Sequence, residues 1–291
     1  MSFTAVVVIH DSAAHLPALF DSIEAHLEPA PQVVVVDSGS RDDGAAIARE
    51  RGAEVTTLDG NPGFGTANNA GVARARHPAT VLLNPDCVVP DGSLAELARA
   101  APGRDSLLVP RLLNPDGTPQ DSVHLLPGGW AGIARALLPA RLLPRPGAER
   151  LEPWRSAQPR RVGWAIAACV AARTDLLRRL GPFDPGAFLF YEDMDLCLRA
   201  GGEGIPTELR PEARVVHHGG HATGPAFGGE AFDLQARRRR EVVGARLGRR
   251  ALALDDAAQA LTFALRAAAG RDRTRNVAAL RALKAARSGD T

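Results

Sequence analysis

Between Phe3 and Leu113 the chain alternates between two hydrophobic periods. Ala5-Val6-Val7-Val8-Ile9 is an unbroken, largely β-branched run, as in a strand buried on both faces. Leu16, Leu19, Phe20, Ile23 and Leu27 fall on one side of a 3.6-residue repeat and predict a helix over 16–27. Val33–Val36 is a second buried strand, ending in Asp37-Ser38-Gly39-Ser40. A helix over Ala45–Arg51, a strand over Glu54–Leu58, a Gly- and Asn-rich loop, a short helix around Asn68–Arg76 and a strand over Thr80–Leu83 complete the series. Strands and helices alternating over short connections make βαβ units, so the pattern predicts an α/β fold on a mostly parallel sheet.

From Leu113 to Arg161 the periodicity dissolves. Asn114-Pro115-Asp116-Gly117 reads as a hairpin turn, and the Pro-, Arg- and Leu-rich stretch 127–159 reads as an excursion with one helix near Gly129–Leu138. Order returns at Val162-Gly163-Trp164, then in a helix over Thr174–Leu180 that Gly181-Pro182 ends. A helix from Tyr191-Glu192 to Ala200 and a strand over Arg214–His217 follow. The rest is Gly-rich, then rich in Arg, Ala and Leu and helical. We therefore expect one domain over 1–225 and a helical extension over 226–291.

Composition is that of a globular chain, with 45% hydrophobic and 23% charged residues. No apolar run approaches the ~20 residues that span a bilayer. Cys87, Cys169 and Cys197 are too few and too scattered for a disulfide framework or a zinc module, and Cys197, inside a helix, is expected to be a small buried hydrophobe. No basic segment precedes the first apolar run, which predicts a cytoplasmic protein without a secretory signal. The net charge of +2 hides an asymmetry: from Gln235 onward there are 14 Lys and Arg against 5 Asp and Glu, a net of +9, which leaves −7 on residues 1–234. Arg237-Arg238-Arg239-Arg240 and the later arginines, interleaved with Ala, Leu and Val, predict a peripheral contact with the inner face of the cell membrane. Nucleic acid is the rival partner, disfavoured by the acidic body and the lack of a recognised binding motif.

Ligands of open parallel sheets bind at the carboxyl ends of the strands. Those ends here are His10-Asp11, Asp37–Ser40, Asn61–Gly65, Asn84-Pro85-Asp86 and His217-His218, all polar. A dinucleotide fold would need Gly-x-Gly-x-x-Gly after the first strand. His10–His15 contains no glycine, and Gly63-Phe64-Gly65-Thr66-Ala67-Asn68 comes too late and lacks the third.

What these segments resemble is the family 2 glycosyltransferases, whose nucleotide-sugar domain has the GT-A fold. Val35-Val36-Asp37-Ser38-Gly39-Ser40-Arg41-Asp42 is similar to the family's VVDNGSTD motif, and Asn61-Pro62-Gly63-Phe64-Gly65 through Asn69-Ala70-Gly71 to its N-x-G-F…N-x-G segment. Leu83-Asn84-Pro85-Asp86 matches the LNPD form of its DxD metal motif. Gly181-Pro182-Phe183-Asp184 with Phe188–Arg199 resembles its G-x-F-D…F-x-Y-x-E-D-x-D-L-C-x-R block, and Val215–Gly220 its closing V-x-H-x-G-G element. The resemblance spans positions 4–225 in order. It is nearest to a bacterial, rhamnosyltransferase-like subgroup that builds cell-surface polysaccharide.

The resemblance implies an inverting transfer from a nucleoside diphosphate sugar, dTDP- or UDP-linked, to a hydroxyl of a glycan or polyprenyl-linked glycan. It places His10, Asp37, Ser38, Gly39, Gly63, Phe64, Asn69, Asn84 and Asp86 against the nucleotide sugar, with Asp37 accepting from the N3–H of the base. It assigns Asp86 and His217 to Mn²⁺ or Mg²⁺, the neighbouring His218 and His221 being weaker candidates. Asp193 becomes the general base, with Glu192 as substitute. Trp164 and Tyr191 become acceptor-binding aromatics, because sugar faces stack on rings; Phe188, Phe190 and Trp130 are the other notable aromatics, the Phe residues being better read as core. Local alternatives stay open. Asp37 could cap the next helix, Asp86 could belong to a turn, and Glu192-Asp193-Asp195 could serve a helix dipole, with Asp195 paired to Arg199 at i,i+4. Asn84, standing where the motif has Asp, also leaves open a non-catalytic nucleotide-sugar-binding or scaffold protein on a degenerate GT-A site. A sugar-1-phosphate nucleotidyltransferase would need a Gly-rich basic loop after the first strand, which is missing.

Overall fold

The computed structural model describes residues 2–138, 140–186, 189–219 and 231–289. In chain order the first half contains β1 (Thr4–Ile9), α1 (Leu16–His26), β2 (Gln32–Asp37), α2 (Gly44–Glu50), β3 (Glu54–Thr57), α3 (Phe64–Ala73), β4 (Ala79–Leu83), β5 (Cys87–Val88), α4 (Ser93–Ala100) and β6 (Leu107–Leu113). Then come β7 (Val123–His124), α5 (Trp130–Leu137), α6 (Arg145–Leu151), β8 (Arg160–Val162), β9 (Trp164–Ala165) and β10 (Cys169–Arg173). The last elements are α7 (Thr174–Leu180), α8 (Glu192–Gly202), β11 (Thr207–His217), α9 (Phe232–Ala268) and α10 (Arg273–Ser288).

Among the described residues nine strands form one sheet, in the order β3-β2-β1-β4-β10-β6-β11-β5, with β8 paired to β11. Strands β3, β2, β1 and β4 are mutually parallel, as are β6 and β11. Between these blocks β10 runs antiparallel to both neighbours, and β5 and β8 run antiparallel to β11. The α/β expectation holds, but the sheet is mixed rather than mostly parallel. Two of the strands that make it so carry little β signal: β10 is Cys-Val-Ala-Ala-Arg, and β6 contains Pro110. The register of β6 against β11 shifts between Arg210 and Arg214, beside Pro110 and across Pro211, where a missing N–H would break the ladder in any case.

Side chains alternate across the sheet. Ala5, Val7 and Ile9 pack with Leu16, Leu19, Phe20 and Leu94 on one face. Val6, Val8, Val34 and Val36 pack with Val72, Leu176, Met194 and Leu196 on the other. The apolar positions of α8 thus hold its acidic N-terminus at the sheet, as Cys197, also buried, illustrates.

The C-terminal part folds back on itself. Within α9, Gly248 has φ 82°, a left-handed conformation open to glycine. The arms on either side are joined by Arg239 to Asp255, two hydrogen bonds of 2.8 Å, and by Arg240 to Asp256. Arg240, Asp255 and Asp256 are buried. Half of the Arg237–Arg240 run therefore faces inward, and the expected membrane-lying role does not fit Arg239 and Arg240. The hairpin also grips the body: Arg246 Nε donates to Asp195 Oδ1 of α8 at 2.6 Å. No helix among the described residues is long and apolar enough to cross a membrane.

Candidate active site

Strands β1, β2, β4, β6 and β11 end at one edge of the sheet, where β10 begins: Ile9 pairs with Asp37, Cys169 with Leu83, Val216 with Leu113. The polar strand ends picked out from the sequence are therefore neighbours in space.

On the β1–β2 side, Asp37 is buried and one carboxylate oxygen accepts from Ser40 N–H at 2.9 Å. The N–H of Gly44 at the head of α2 binds Asp42 at 3.1 Å, so Asp37 bonds within the Ser38–Ser40 turn rather than to the helix. His10 Nδ1 lies 2.8 Å from Ser38 O, and Ser38 Oγ donates to Asn61 Oδ1 at 3.0 Å. The same Asn61 oxygen accepts from Gly63 N–H at 3.1 Å. Gly39 sits at φ 72°, and a Cβ there would lie 2.5 Å from Gly60 O, so this close crossing of two loops requires glycine. His10, Asp37, Ser38, Gly39 and Gly63 form one wall. Phe64 and Asn69 do not join it. The Asn69 amide is committed to the Phe183 backbone, donating to its carbonyl at 2.7 Å and accepting from its N–H at 3.0 Å. Phe64 packs edge-on against the Phe183 ring. Both anchor the Phe183 loop to α3.

On the β4–β11 side, Asp86 sits in the Asn84–Cys87 turn, closed by Cys87 N–H on Asn84 O at 3.2 Å, but its side chain reaches beyond that turn. Its Oδ2 accepts from Gly219 N–H at 2.9 Å and its Oδ1 lies 3.4 Å from His217 Nε2. Asn84 Nδ2 is 3.5 Å from the same nitrogen. Asp86 and His217 are both buried. Gln120 Oε1 lies 2.9 Å from His217 Nδ1, and its amide nitrogen is 3.2 Å from Asn114 Oδ1. With Nδ1–H donating to Gln120, Nε2 is the lone-pair nitrogen and faces Asp86. One carboxylate, one imidazole nitrogen and one amide suit a divalent cation that keeps positions open for phosphate oxygens. Among the described residues no three His, Cys, Asp or Glu side chains converge on a metal point. His218 is exposed; His221 and Phe188 lie outside the described residues.

The acidic cluster heads α8. Glu192 and Asp195 are buried, while Asp193 is partly exposed, as a 100° step around the helix requires. Asp195 accepts from Arg199 Nε at 2.8 Å as well as from Arg246, so the expected i,i+4 pair is present and structural. Asp193 Oδ1 accepts from Met194 N–H at 2.7 Å and Oδ2 from Ala167 N–H at 3.4 Å. Desolvation holds the carboxyls of both Glu192 and Asp193 above the usual carboxylate range; for Glu192 the adjacent Asp193 charge adds to it. Glu192 Oε2 is buried without a hydrogen-bond partner among the described residues, so the neutral form falls on Glu192.

Two consecutive residues link the two halves. Ala167 N–H binds Asp193, and the carbonyl of the next residue, Ala168, accepts from Asn84 N–H at 2.9 Å.

Phe190 (φ 71°) and Tyr191 (φ 61°), just before α8, are both left-handed, a strained pair for non-glycine residues and typical of functional turns. Trp164 is buried, stacked on His124 at 4.1 Å and met edge-on by Tyr191 at 6.2 Å. It supports the site rather than offering an open face, which leaves half-buried Tyr191 as the aromatic nearer solvent. The Arg239 guanidinium lies 5.5 Å from the Tyr191 ring. Burial, then Arg135 and Arg239, push His124 down to about 3 and keep it neutral. Gln120, His124 and Arg239 are site neighbours that periodicity could not reveal. Two sit in the irregular stretch, and the third is hidden in an arginine run.

Residues 4–166 match the family described as Glycosyl transferase family 2. An N-acetylglucosaminyl-diphospho-decaprenol L-rhamnosyltransferase of Mycobacterium tuberculosis is 30% identical over 243 residues, covering 75% of this chain and 76% of its own. Among solved structures, a mannosyltransferase from Pyrobaculum calidifontis in complex with GDP-Man and Mn²⁺ superposes with TM-score 0.57 at 16% identity, covering 99% of this chain and 75% of that one. Glucosyl-3-phosphoglycerate synthase from M. tuberculosis, in complex with Mn²⁺, UDP and phosphoglyceric acid, gives 0.54 at 20% identity, covering 85% and 78%. The chain therefore belongs to glycosyltransferase family 2: it is a glycosyltransferase of the GT-A fold, similar to a rhamnosyltransferase.

Proposed function

We propose that the enzyme moves a sugar, rhamnose by analogy with its mycobacterial relative, from a dTDP- or UDP-sugar to a hydroxyl of a lipid-linked glycan at the cytoplasmic face of a membrane, with inversion. The observation that carries this reading is the Ala167–Ala168 link. It ties the Asn84–Asp86 turn and the Asp193 carboxylate to two consecutive residues of one backbone segment, as suits a single in-line displacement between leaving group and base.

In this mechanism the buried Asp37 accepts from the N3–H of the base, and the Ser38–Gly39 turn lets the nucleotide approach the backbone. Asp86, His217 and Asn84 would hold the divalent cation, and the imidazole favours Mn²⁺ over Mg²⁺. Bound there, the cation supplies positive charge for the departing diphosphate. Asp193 takes the proton of the acceptor hydroxyl, its raised affinity for protons matching that task near neutral pH. Glu192 stays neutral beside it, so one negative charge rather than two faces the acceptor. Tyr191 lines the acceptor side.

The test is thermal-shift binding of dTDP, UDP and GDP, each with and without Mn²⁺, on the wild type and Asp86→Ala. Metal-dependent stabilisation by one nucleotide, lost in the variant, supports the donor site. No stabilisation by any of the three overturns it and favours a scaffold protein on a degenerate site.

A further inference from the structure

The large hydrophobic side chains left exposed among the described residues are Leu126, Trp130, Leu137, Leu138, Leu142 and Leu265. Five of the six lie within 126–142, in and around α5, a helix none of whose residues is fully buried. Trp130, Ile133 and Leu137 are spaced i, i+3 and i+7, so they share one stripe. Trp130 is 75% and Leu142 73% exposed. Such clustering is unlike the scattered single hydrophobes of an ordinary surface and marks an interaction face.

The charge beside it names the partner. Gly128 lies against Ala251 and Gly132 against Ala258, so α5 runs in the same direction as the second arm of α9. Its C-terminal end, with Leu137 and Leu138, is thereby directed toward the end of α9 that exposes Leu265 and Arg266. The turn into α10 adds exposed Arg271 and Arg273. These three arginines form no ion pair among the described residues, in contrast to the buried, paired Arg240. An apolar ledge with a Trp, flanked by unpaired cations, suits the headgroup zone of an anionic bilayer.

We infer that the α5 ledge, together with the basic α9–α10 turn, docks the protein on an anionic phospholipid surface. The ledge begins two residues beyond His124, which stacks on Trp164 at 4.1 Å beside Tyr191. Docking there brings the acceptor side of the site toward the membrane. That consequence alone rests on the proposed acceptor; the docking itself is independent of it.

The test uses the full chain with vesicles of phosphatidylcholine, with and without about a quarter phosphatidylglycerol, and no donor or acceptor. Wild type is expected to sediment with the anionic vesicles, less so as salt rises, with a blue shift of Trp130 emission that Trp130→Phe removes. Leu137→Gln/Leu138→Gln/Leu142→Gln is expected to stay in the supernatant with an unchanged circular dichroism spectrum and unchanged Mn²⁺-dependent nucleotide binding. Arg266→Glu/Arg271→Glu/Arg273→Glu is expected to lose the preference for anionic lipid. Wild type that ignores both vesicle types, or a triple-Gln variant that binds as well as wild type, overturns the inference. A wild-type dimer by light scattering that the triple-Gln variant converts to monomer, without vesicle binding by either, also overturns it and gives the ledge to a second copy of the chain.

Discussion

Gln120 Oε1 lies 2.9 Å from His217 Nδ1, across 97 positions of sequence. The bond selects the tautomer that turns Nε2 toward Asp86, and the same amide reaches the carbonyl of His217 at 3.4 Å. Outer partners of this type orient a ligand and raise its basicity. Gln120→Leu is therefore expected to weaken Mn²⁺-dependent nucleotide binding by about 10–100-fold, with little change in metal-free melting temperature. Titration calorimetry reads the affinity and a thermal melt the stability, and unchanged metal-dependent affinity would remove Gln120 from the site.

Asp193 and Glu192 are adjacent, desolvated carboxyls at the head of α8 and should divide its chemistry. Asp193→Asn is expected to lower kcat by about 10²–10⁴-fold while nucleotide affinity holds. Glu192→Gln, which mimics the neutral acid, should keep most of the activity. Because desolvation raises the Asp193 carboxyl, the acidic limb of kcat against pH should lie above the ~4 of an ordinary carboxylate. A limb at that ordinary value would exclude Asp193 as the titrating base.

Stability should move against activity. A carboxyl whose folded pKa exceeds its unfolded one binds protons more tightly in the folded chain. Its contribution is thus lost as pH rises from the unfolded value through the folded one. Burial raises both Glu192 and Asp193, so each destabilises the ionised protein. Glu192→Gln should raise the melting temperature at pH 8 and alter it far less at pH 4. Equal shifts at both pH values would contradict the buried-acid description.

The C-terminal hairpin offers a pairing test. Arg239 and Asp255, 16 positions apart, meet across the Gly248 kink. Arg239→Met leaves a buried carboxylate unpaired and should cost about 3–5 kcal/mol, whereas Arg239→Met/Asp255→Leu should recover most of the loss. Denaturant unfolding distinguishes the two. Since Arg239 also covers Tyr191, the double variant should remain stable yet bind acceptor less well.

Gly39→Ala is expected to weaken nucleotide binding, because its φ of 72° and the 2.5 Å approach of a new Cβ to Gly60 O force the two donor-side loops apart. The left-handed strain alone costs about 1–2 kcal/mol. Wild-type nucleotide affinity in this variant would show that the loop crossing does not shape the donor wall.

Much of the site was legible because buried strands announce themselves. The β-branched runs before His10, Asp37 and Asn84 locate three strand ends, and α/β topology places them along one edge. The 100° rotation separating Asp193 from Glu192 and Asp195 was legible for the same periodic reason. What stayed hidden depended on contacts between irregular or distant segments. Pro110 masks β6, and small residues mask β10, whose entry at Ala167–Ala168 joins the two halves of the site. Asn69 sits in a matching motif and Trp164 is a natural sugar-stacking ring, yet the structure spends one on the Phe183 backbone and stacks the other on His124. Arg239 and Arg240 look like a free cationic run until the kink at Gly248 folds Asp255 and Asp256 against them.

The most direct test of the account measures donor binding and sugar transfer on the same preparations of wild type and Asp193→Asn, using the nucleotide sugar whose base the binding panel selects and a lipid-linked glycan acceptor. The account predicts equal donor affinity and a transfer rate lower by about 10²-fold or more in the variant. Transfer by Asp193→Asn at the wild-type rate would contradict it.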